Sequence, residues 1–279
     1  MLDDKNALIT GATRGLGAEI AHVFVSMGAN VMLCARDEAA LESVVAELWK
    51  ERIYPTQRIL ACSTDISQPV QVDQLFDYVG KEFKYLDILV NNAGIQGPIG
   101  PMEKTDWGMW KNAVEVDLLG TAYLIYKALP LMKQRKFGKI INLSGGGAAG
   151  PRANYSAYST AKAGLVRLTE TIAQETADYG IDINAVAPGA MSGKMLEETL
   201  AAGENAVGQV EYAKALKRKE EGGASPKAAA RLCAYLASEK SNGITGRLIS
   251  AVWDDWEHLD SQLDQIRGSD LYTLRRIVP

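Results

Sequence analysis

The sequence predicts an α/β fold in which a parallel β-sheet is covered by helices. Short apolar runs alternate with helix-length segments from the start of the chain to about residue 250, as in proteins built from repeated strand and helix units. Such runs are expected of strands that are buried inside a parallel sheet. No internal repeat and no linker rich in proline or serine divides the chain, so we expect residues 1–252 to form one domain.

Seven of the apolar runs are predicted as strands. In chain order they are Asn6–Thr10, Asn30–Ala35, Ile59–Ser63, 87–91, 139–143, 182–187 and 248–252. The segments between them carry apolar residues at spacings of three and four, which predicts helices with one buried face. Three of these predicted helices are 18–27, 37–51 and 226–237.

Two segments depart from this alternation. Residues 191–223 contain five glycines and end in the charged run 217–221. Because long excursions from a compact domain are usually functional, we expect a helical insertion there, on the substrate side. Residues 253–279 form an extension beyond the last strand, which we expect to dock on the domain or on a neighbouring subunit. Its last nine residues include the apolar residues Leu271, Leu274, Ile277 and Val278.

Composition and charge exclude several classes of protein. Apolar residues make up 47% of the 279 residues and charged residues 23%, which is close to average globular usage and argues against disorder or a fibrous repeat. The formal charge of −4 argues against nucleic acid as a main partner, because neutralising phosphates needs a concentrated basic surface. The acidic start of the chain and the lack of an apolar run of about 20 residues predict neither a signal peptide nor a membrane span.

The three cysteines, Cys34, Cys62 and Cys233, give an odd number with no CxxC pair. No closed disulfide framework is expected, and the chain is predicted to be cytoplasmic. The two histidines, His22 and His258, lie far apart without cysteine or carboxylate companions at ligand spacing, so no metal site is predicted.

A glycine-rich loop follows the first predicted strand and leads into a helix. Glycines allow a tight turn and a close approach to a pyrophosphate, and the amino end of the helix supplies amide donors. This placement favours a dinucleotide site over an ordinary turn. The residues predicted to hold the nucleotide here are Gly11, Thr13, Arg14, Gly15, Leu16 and Gly17.

The end of the second strand predicts which dinucleotide is held. A carboxylate there would bond the ribose hydroxyls, yet this chain has Ala35 followed by Arg36. Arg36 and Arg14 would together give two charge-assisted donors to a 2′-phosphate, which predicts NADP(H) over NAD(H). The alternative is that Arg36 is a solvated residue paired with Asp37, which itself suits a helix N-cap.

Past the third strand, Asp65 and the adjacent Ile66 are further candidate contacts to the cofactor. Asp65 could accept a hydrogen bond from the adenine amino group, but an aspartate that closes a strand is as often a simple turn residue.

A tyrosine and a lysine four residues apart, Tyr158 and Lys162, open a long predicted helix. This spacing puts the phenol and the ammonium group on one face. A free phenol is a poor base because its pKa is about 10, but a neighbouring cation favours the phenolate. The pair is therefore a candidate acid/base group.

Five motifs together resemble the short-chain dehydrogenase/reductase family. They are residues 10–17, 91–94, 142–144, 158–162 and 184–189, and the resemblance runs from about residue 4 to 252. It implies a doubly wound Rossmann sheet of seven parallel strands, a nicotinamide cofactor, hydride transfer to or from a carbonyl or alcohol carbon, and a homodimer or homotetramer.

The resemblance also implies roles for individual residues. Tyr158 would be the acid/base, and Lys162 would hold the nicotinamide ribose and lower the pKa of the phenol. The loop after the fourth strand, with Asn92, Ala93 and Gly94, would line the cofactor and steady the sheet. The turn formed by Pro188 and Gly189 would face the nicotinamide.

Three positions depart from the family pattern. The family usually places a serine thirteen residues before the tyrosine, where this chain has Gly145; Ser144 is the nearest hydroxyl. A triple-glycine loop has backbone freedom that could bring Ser144 into the role; otherwise a donor is missing, at a cost of about a hundredfold in rate. Asp117 stands where the family has an asparagine that kinks a helix and anchors a water relay. Gly193 stands where a threonine often contacts the carboxamide.

Asp117 and the tail leave alternatives open. The carboxylate of Asp117 would attract the ammonium group of Lys162 and so leave the tyrosine less acidic. Alternatively, Asp117 would cap or bend its helix without touching the relay. Trp253 and Trp256, beside three acidic residues, would bind a sugar or polyol, or bury a subunit interface. Besides a carbonyl reductase or alcohol dehydrogenase, the motifs fit a regulatory NADP(H)-binding protein with weak or no activity, or an epimerase that keeps its cofactor.

Overall fold

The computed structural model describes residues 2–276 and contains a parallel sheet of seven strands in the order β3-β2-β1-β4-β5-β6-β7. The strands are β1 Asn6–Thr10, β2 Asn30–Ala35, β3 Ile59–Ser63, β4 Ile88–Asn91, β5 Gly138–Leu143, β6 Ile181–Ala187 and β7 Leu248–Ser250. Every neighbouring pair is parallel. The predicted α/β class and the doubly wound Rossmann architecture are confirmed.

Ten α-helices and one π-helix are present among the described residues. The α-helices are α1 Gly15–Ser26, α2 Glu38–Glu51, α3 Pro69–Glu82, α4 Trp107–Val114, α5 Thr121–Arg135, α6 Ser156–Glu175, α7 Lys194–Val207, α8 Gln209–Glu221, α9 Pro226–Ala237 and α10 Leu263–Ile266. The π-helix Glu115–Gly120 joins α4 to α5 without a break.

The two faces of the sheet are covered by different helices. Side chains of successive strand residues point to opposite faces, so Leu33 packs with α1, α2 and α9 while Met32 and Cys34 pack with α3 and α5. Both helical layers are held by apolar burial, and each strand is enclosed on two sides. The loops that follow the strands meet at the carboxyl edge of this sheet, which is where α/β sheets bind ligands.

Two predicted strands are shorter in the structure. Asp87 lies just before β4, and its carboxylate accepts from the backbone amide of Asn6 at 2.9 Å and from Arg135 at 2.8 Å. β7 ends at Ser250, whose amide donates to the carboxylate of Asp254 at 2.6 Å. Its hydroxyl accepts from the amide of Trp253 at 3.2 Å, so the chain turns there.

The segment 191–223 contains α7 and α8, packed as a pair. Its two ends meet, because the amide of Ala224 donates to the carbonyl of Ala190 at 2.9 Å. Polar contacts tie α7 to the domain. Gln96 donates to the hydroxyl of Thr199 at 2.9 Å, the hydroxyl of Tyr155 donates to it at 3.4 Å, and the amide group of Asn154 donates to the carbonyl of Val207 at 3.1 Å.

The extension beyond β7 folds back on the same domain through residue 276. Trp256 is buried in the core against Tyr235 of α9, with ring centroids 5.9 Å apart, so it is not an exposed platform for a sugar. Trp253 is 86% exposed. The guanidinium of Arg247 donates to the carbonyl oxygens of Ile266, Ser269 and Leu271.

The extension also reaches the border of the sheet. The amide of Leu248 in β7 donates to the carbonyl of Tyr272 at 2.7 Å. Glu170 of α6 accepts from the amide of Leu274 at 2.7 Å and from Arg275 at 2.8 Å. Ile277 and Val278 lie outside the described residues.

Helices that could cross a lipid bilayer were sought in the described part of the chain, and none is both long enough and apolar enough. The same residues contain no cluster of three or more side chains that could hold a metal ion.

Candidate active site

The glycine-rich loop turns at Gly11 and Gly15, which have φ angles of +66° and +56°. Glycine adopts this left-handed region without the steric cost that a side chain brings. The loop then enters α1, whose N-cap residue Arg14 makes no side-chain capping bond and whose first turn carries no acidic residue. Amide donors at an uncapped helix start, free of acidic neighbours, are suited to an anionic pyrophosphate.

Asn92 braces this loop from the neighbouring strand. Its side-chain amide donates to the carbonyls of Thr10 at 3.0 Å and Gly11 at 3.1 Å. A Cβ on Gly17 would lie 2.2 Å from the carbonyl oxygen of Gly11, so only glycine fits there. The loops after β1 and β4 are thus locked together at the point where the strand order reverses, which is where α/β sheets bind ligands.

The tip of β2 carries an exposed cation. Asp37 caps α2, since its carboxylate accepts from the amide of Ala40 at 3.0 Å. Arg36 is exposed, as is Arg14 across the loop, and within residues 2–276 neither has an ion-pair partner. The capping alternative for Asp37 is therefore realised, while Arg36 is not paired with it.

Asp65 forms a turn of its own chain. Its carboxylate accepts from the amide of Ser67 at 3.0 Å and from the hydroxyl of Ser67 at 2.8 Å. Asp65 therefore has the turn role that the sequence allows, and its contact with the cofactor stays a prediction. Ile66 is 6% exposed and lies against the end of the π-helix, where a Cβ on Gly120 would meet its carbonyl oxygen at 2.6 Å.

Tyr158 and Lys162 both lie in the first turns of α6, and both are buried, with 7% and 4% exposure. The ammonium nitrogen of Lys162 donates to the carbonyl oxygen of Leu143 at 2.9 Å and lies 3.6 Å from a carboxylate oxygen of Asp117. It is also 5.7 Å from the ring centroid of Tyr158. The predicted pair therefore shares one buried face, at the carboxyl end of β5.

Asp117 is fully buried in the π-helix. One of its carboxylate oxygens accepts from the amide of Ile95 at 2.7 Å, and the other has no hydrogen-bond partner among the described residues. Burial raises the pKa of Asp117, and the charge of Lys162 and the bond from Ile95 act against that rise. Asp117 lies in a π-helix and its carboxylate faces the ammonium of Lys162, which agrees with the first alternative and not with an aspartate that stays away from the lysine.

The net pKa of Tyr158 is raised, although the sequence suggested an acidified phenol. Burial is the largest cause, because it disfavours the phenolate. The charges of Lys162 and Arg152 lower the pKa, and the carboxylate of Asp117 raises it. The sequence shows the lysine beside the phenol but not how completely both groups leave water.

Ser144 and Gly145 directly follow β5, and Gly145 lies next to the phenol of Tyr158. A Cβ on Gly145 would be only 2.2 Å from the phenol oxygen of Tyr158, so that oxygen occupies the space of a side chain at this position. The hydroxyl of Ser144 is buried and has no hydrogen-bond partner within the described range. Strand alternation places Ser144 on the face of Asn142, which bonds Thr169 of α6 at 2.8 Å.

Three more positions that the sequence singled out lie before or at the start of α7. Gly189 has a φ of +88°, and a Cβ there would meet Val252 at 2.6 Å and Ala224 at 2.9 Å. Pro188 precedes it and is buried. Gly193 is the N-cap of α7 and has open space around its Cα.

Sequence reasoning missed Arg152, which stacks on the ring of Tyr155 at 3.6 Å and acts on the charge state of Tyr158. It also missed the bond between Gln96 and Thr199. Neither contact has a local signal, because each partner comes from a distant segment or from a loop with no periodic pattern.

Fold and site together define a Rossmann-type dinucleotide-binding protein. The family model for short chain dehydrogenases matches residues 5–203, which is more than half of the chain. The chain belongs to the short-chain dehydrogenase/reductase family. It is an oxidoreductase that uses a nicotinamide cofactor and transfers hydride to or from carbonyl or alcohol substrates.

Three similar proteins illustrate the match. The chain is 34% identical over 247 residues to a cis-4-hydroxycyclohexanecarboxylate dehydrogenase of Sinomonas cyclohexanicum, covering 88% of this chain and 94% of that protein. It is 31% identical over 260 residues to a D-beta-hydroxybutyrate dehydrogenase of Cupriavidus necator, covering 91% and 97%. A variant of actinorhodin polyketide ketoreductase, solved with NADPH, superposes with a TM-score of 0.80 at 27% identity, covering 90% and 96%.

Proposed function

We propose that the protein is an NADP(H)-dependent carbonyl reductase or secondary alcohol dehydrogenase in which Tyr158 is the acid/base. The observation that carries this proposal is the buried phenol of Tyr158 beside the ammonium of Lys162, at the carboxyl edge of the sheet. The glycine-rich loop and the uncapped start of α1 lie at the same edge. The relatives act on different carbon skeletons, so they support the reaction class and leave the substrate open.

The protein's own residues would handle the proton. In the direction of reduction, the phenol oxygen of Tyr158 gives its proton to the carbonyl oxygen of the substrate, and the charge of Lys162 stabilises the phenolate that remains. The partnerless hydroxyl of Ser144 donates a hydrogen bond to the same carbonyl oxygen. The carboxylate of Asp117, 3.6 Å from the ammonium nitrogen of Lys162, helps to position the lysine. The nicotinamide supplies the hydride when bound.

The cofactor would be held at the carboxyl ends of β1 to β6. The loop before α1 would bind the pyrophosphate, because the backbone amides at the start of α1 have no side-chain cap and can donate to it. The residues assigned to the cofactor are Gly11, Thr13, Arg14, Gly15, Leu16, Gly17, Arg36, Asp65, Ile66, Asn92, Ala93, Gly94, Tyr158, Lys162, Pro188 and Gly189. The exposed and unpaired guanidinium groups of Arg14 and Arg36 support a 2′-phosphate, and hence NADP(H), at the ribose.

The cofactor preference is tested by Arg36→Ala. Removing one charge-assisted contact is expected to weaken NADPH binding by about tenfold or more while changing NADH binding little. Calorimetric titration with each cofactor measures both constants. Lys50→Ala removes an exposed cation from the far end of α2 and is the control. Equal weakening of both cofactors would contradict the assignment of Arg36 to the phosphate.

The reaction is tested by following the absorbance of NADPH over a panel of ketones and aldehydes, and of NADP+ over secondary alcohols. Turnover of at least one pair is expected. Tight binding of NADPH with no turnover across the panel would instead favour a regulatory or scaffold protein. Gly145 and the raised pKa of Tyr158 are the observations on that side.

Asp117→Asn is expected to shift the pH dependence of alcohol oxidation. The charge of Asp117 raises the pKa of Tyr158, so its removal lowers that pKa. Oxidation needs the phenolate as proton acceptor, and the rate therefore rises as pH passes upward through this pKa. In the variant the rise should begin at lower pH, with a severalfold faster rate on the acidic side. A rise that stays in place or moves to higher pH would show that Asp117 does not act on the phenol.

We also propose that the chain acts as a homodimer or homotetramer in the cytoplasm. Support for assembly comes from large apolar side chains left exposed near α4 and α5, including Trp107 at 59%, Leu119 at 57% and Tyr126 at 67%. Support for a reducing compartment comes from three cysteines without a disulfide. Sedimentation measurements would give the subunit number.

A further inference from the structure

Arg152 lies between the triple-glycine loop and α8. The guanidinium stacks on Tyr155 at 3.6 Å, and its Nε lies 3.3 Å from a carboxylate oxygen of Glu211 in α8. One of its terminal nitrogens is 3.9 Å from the place where a Cβ on Gly146 would stand. This end of Arg152 thus faces the same loop that contacts the phenol of Tyr158.

Most of the hydrogen-bonding capacity of Arg152 is unused. Its side chain is only 20% exposed, and in residues 2–276 only the Nε has a carboxylate partner. A guanidinium has five N–H donors, and a bidentate acceptor uses the two terminal nitrogens or one of them with the Nε. Glu211 therefore orients Arg152 through its Nε and leaves the terminal N–H donors available to a ligand.

A second arginine joins the first from α8. Glu211, Ala215 and Arg218 are spaced by four and three residues, so they share one face of the helix. Ala215 is 2% exposed, which shows that this face is turned inward. Arg218 is half-buried, and within the described part of the chain it has neither a hydrogen bond nor an ion pair.

Arg152 and Arg218 interact electrostatically. Burial lowers the pKa of Arg218, and the charge of Arg152 lowers it further, while Glu211 acts against both. Glu211 is itself shared with Lys214, at 3.0 Å. One carboxylate thus faces three cations, and this cluster carries excess positive charge whose effect reaches Tyr158 through Arg152.

We propose that Arg152 and Arg218 form an anion-binding subsite, and that the substrate carries an oxyanion group, a carboxylate or a phosphate, a short distance from its reacting carbonyl. This proposal rests on the proposed function for the position of the reacting carbon. Guanidinium groups bind both oxyanions through charge-assisted, bidentate hydrogen bonds. A substrate anchored at one end by these two side chains would present its carbonyl to Tyr158 in a defined orientation.

Matched pairs of acid and ester test the subsite with NADPH and the whole chain. Acetoacetate, levulinate and 4-oxocyclohexanecarboxylate differ in the spacing between carbonyl and carboxylate, and each is compared with its methyl ester. Dihydroxyacetone phosphate and dihydroxyacetone form the phosphate pair. We expect at least one anion to have a kcat/KM about tenfold or more above its neutral partner. Which pair shows the preference identifies the oxyanion.

Arg218→Gln is expected to lower that ratio of kcat/KM values by about tenfold, mainly through KM for the anion. Lys217→Gln removes the same charge from an exposed position one residue away, where Lys217 pairs with Glu221. This control is expected to leave the ratio unchanged, whereas a nonspecific field effect would lower it in both variants. Equal ratios in the wild type and Arg218→Gln, or neutral esters used better than acids, would overturn the subsite and leave the proposed function standing.

Binding gives a readout that does not depend on turnover. Levulinate and dihydroxyacetone phosphate are titrated calorimetrically into the NADPH-saturated protein and into Arg218→Gln. Binding of either anion to the wild type that weakens about tenfold in the variant supports the subsite even if no carbonyl is reduced. Absence of binding by both anions overturns it.

Discussion

Replacing Tyr158 by phenylalanine is expected to lower turnover by about a hundredfold to ten-thousandfold, because the variant has no group to move a proton to or from the substrate oxygen. The ring keeps its packing, so the affinity for NADPH should change little. Steady-state rates in both directions and a calorimetric titration with NADPH measure the two quantities.

Tyr155 offers a matched control three residues earlier in the chain. It is fully buried, and its hydroxyl makes one long hydrogen bond, 3.4 Å, to Thr199. Tyr155→Phe should therefore cost about 1 kcal/mol of stability at most and leave the rate nearly unchanged. Comparable rates in the wild type and Tyr158→Phe would show that another group transfers the proton, and Tyr158 would lose its assignment.

Gly145→Ala is expected to lower kcat by about a hundredfold. A methyl group at this position would overlap the phenol oxygen of Tyr158, at 2.2 Å, so the phenol must move by an ångström or more. Displacement of a reacting group by about 1 Å can cost two orders of magnitude in rate, because the proton transfer loses its geometry. The effect should appear in kcat with little change in the affinity for NADPH.

Gly146→Ala is the control within the same loop. A Cβ at Gly146 would have no neighbour nearer than Arg152 at 3.9 Å, which is an ordinary contact. Its rate should stay within a few-fold of the wild type. Gly145→Ser adds a further test, since the family usually carries serine there. An increase in rate would mean that a serine hydroxyl at position 145 bonds to the substrate oxygen and that Ser144 does not provide this bond in the wild type.

The strands were predictable because burial in a parallel sheet leaves a local trace. β1, β2 and β3 match the predicted bounds to the residue, and each is a run of apolar residues between turn-forming neighbours. β7 is shorter than predicted because its end is set by the side chain of Asp254, which accepts from Ser250. A hydrophobic run alone does not contain that information.

The site was predictable in its residue types and less so in its energetics. The spacing of Tyr158 and Lys162 places both on one helix face, but the balance between burial and charge is a property of the folded interior. The contact of Asp117 with the amide of Ile95, 22 residues earlier in the chain, likewise has no local signal in the sequence. Arg152 gave no signal because its partner Glu211 lies 59 residues away in the chain.

The folded-back extension changes what the border of the sheet at β7 offers to other molecules. In a parallel strand alternate amides point outward. At this border the amide of Leu248 donates a hydrogen bond to the carbonyl of Tyr272, and the amide of Ser250 donates one to the carboxylate of Asp254. An unsatisfied outer strand is a template on which foreign chains add and aggregates grow. Here both outward donors are already used within the chain, so this border is protected from fibril-like growth for as long as the extension stays in place.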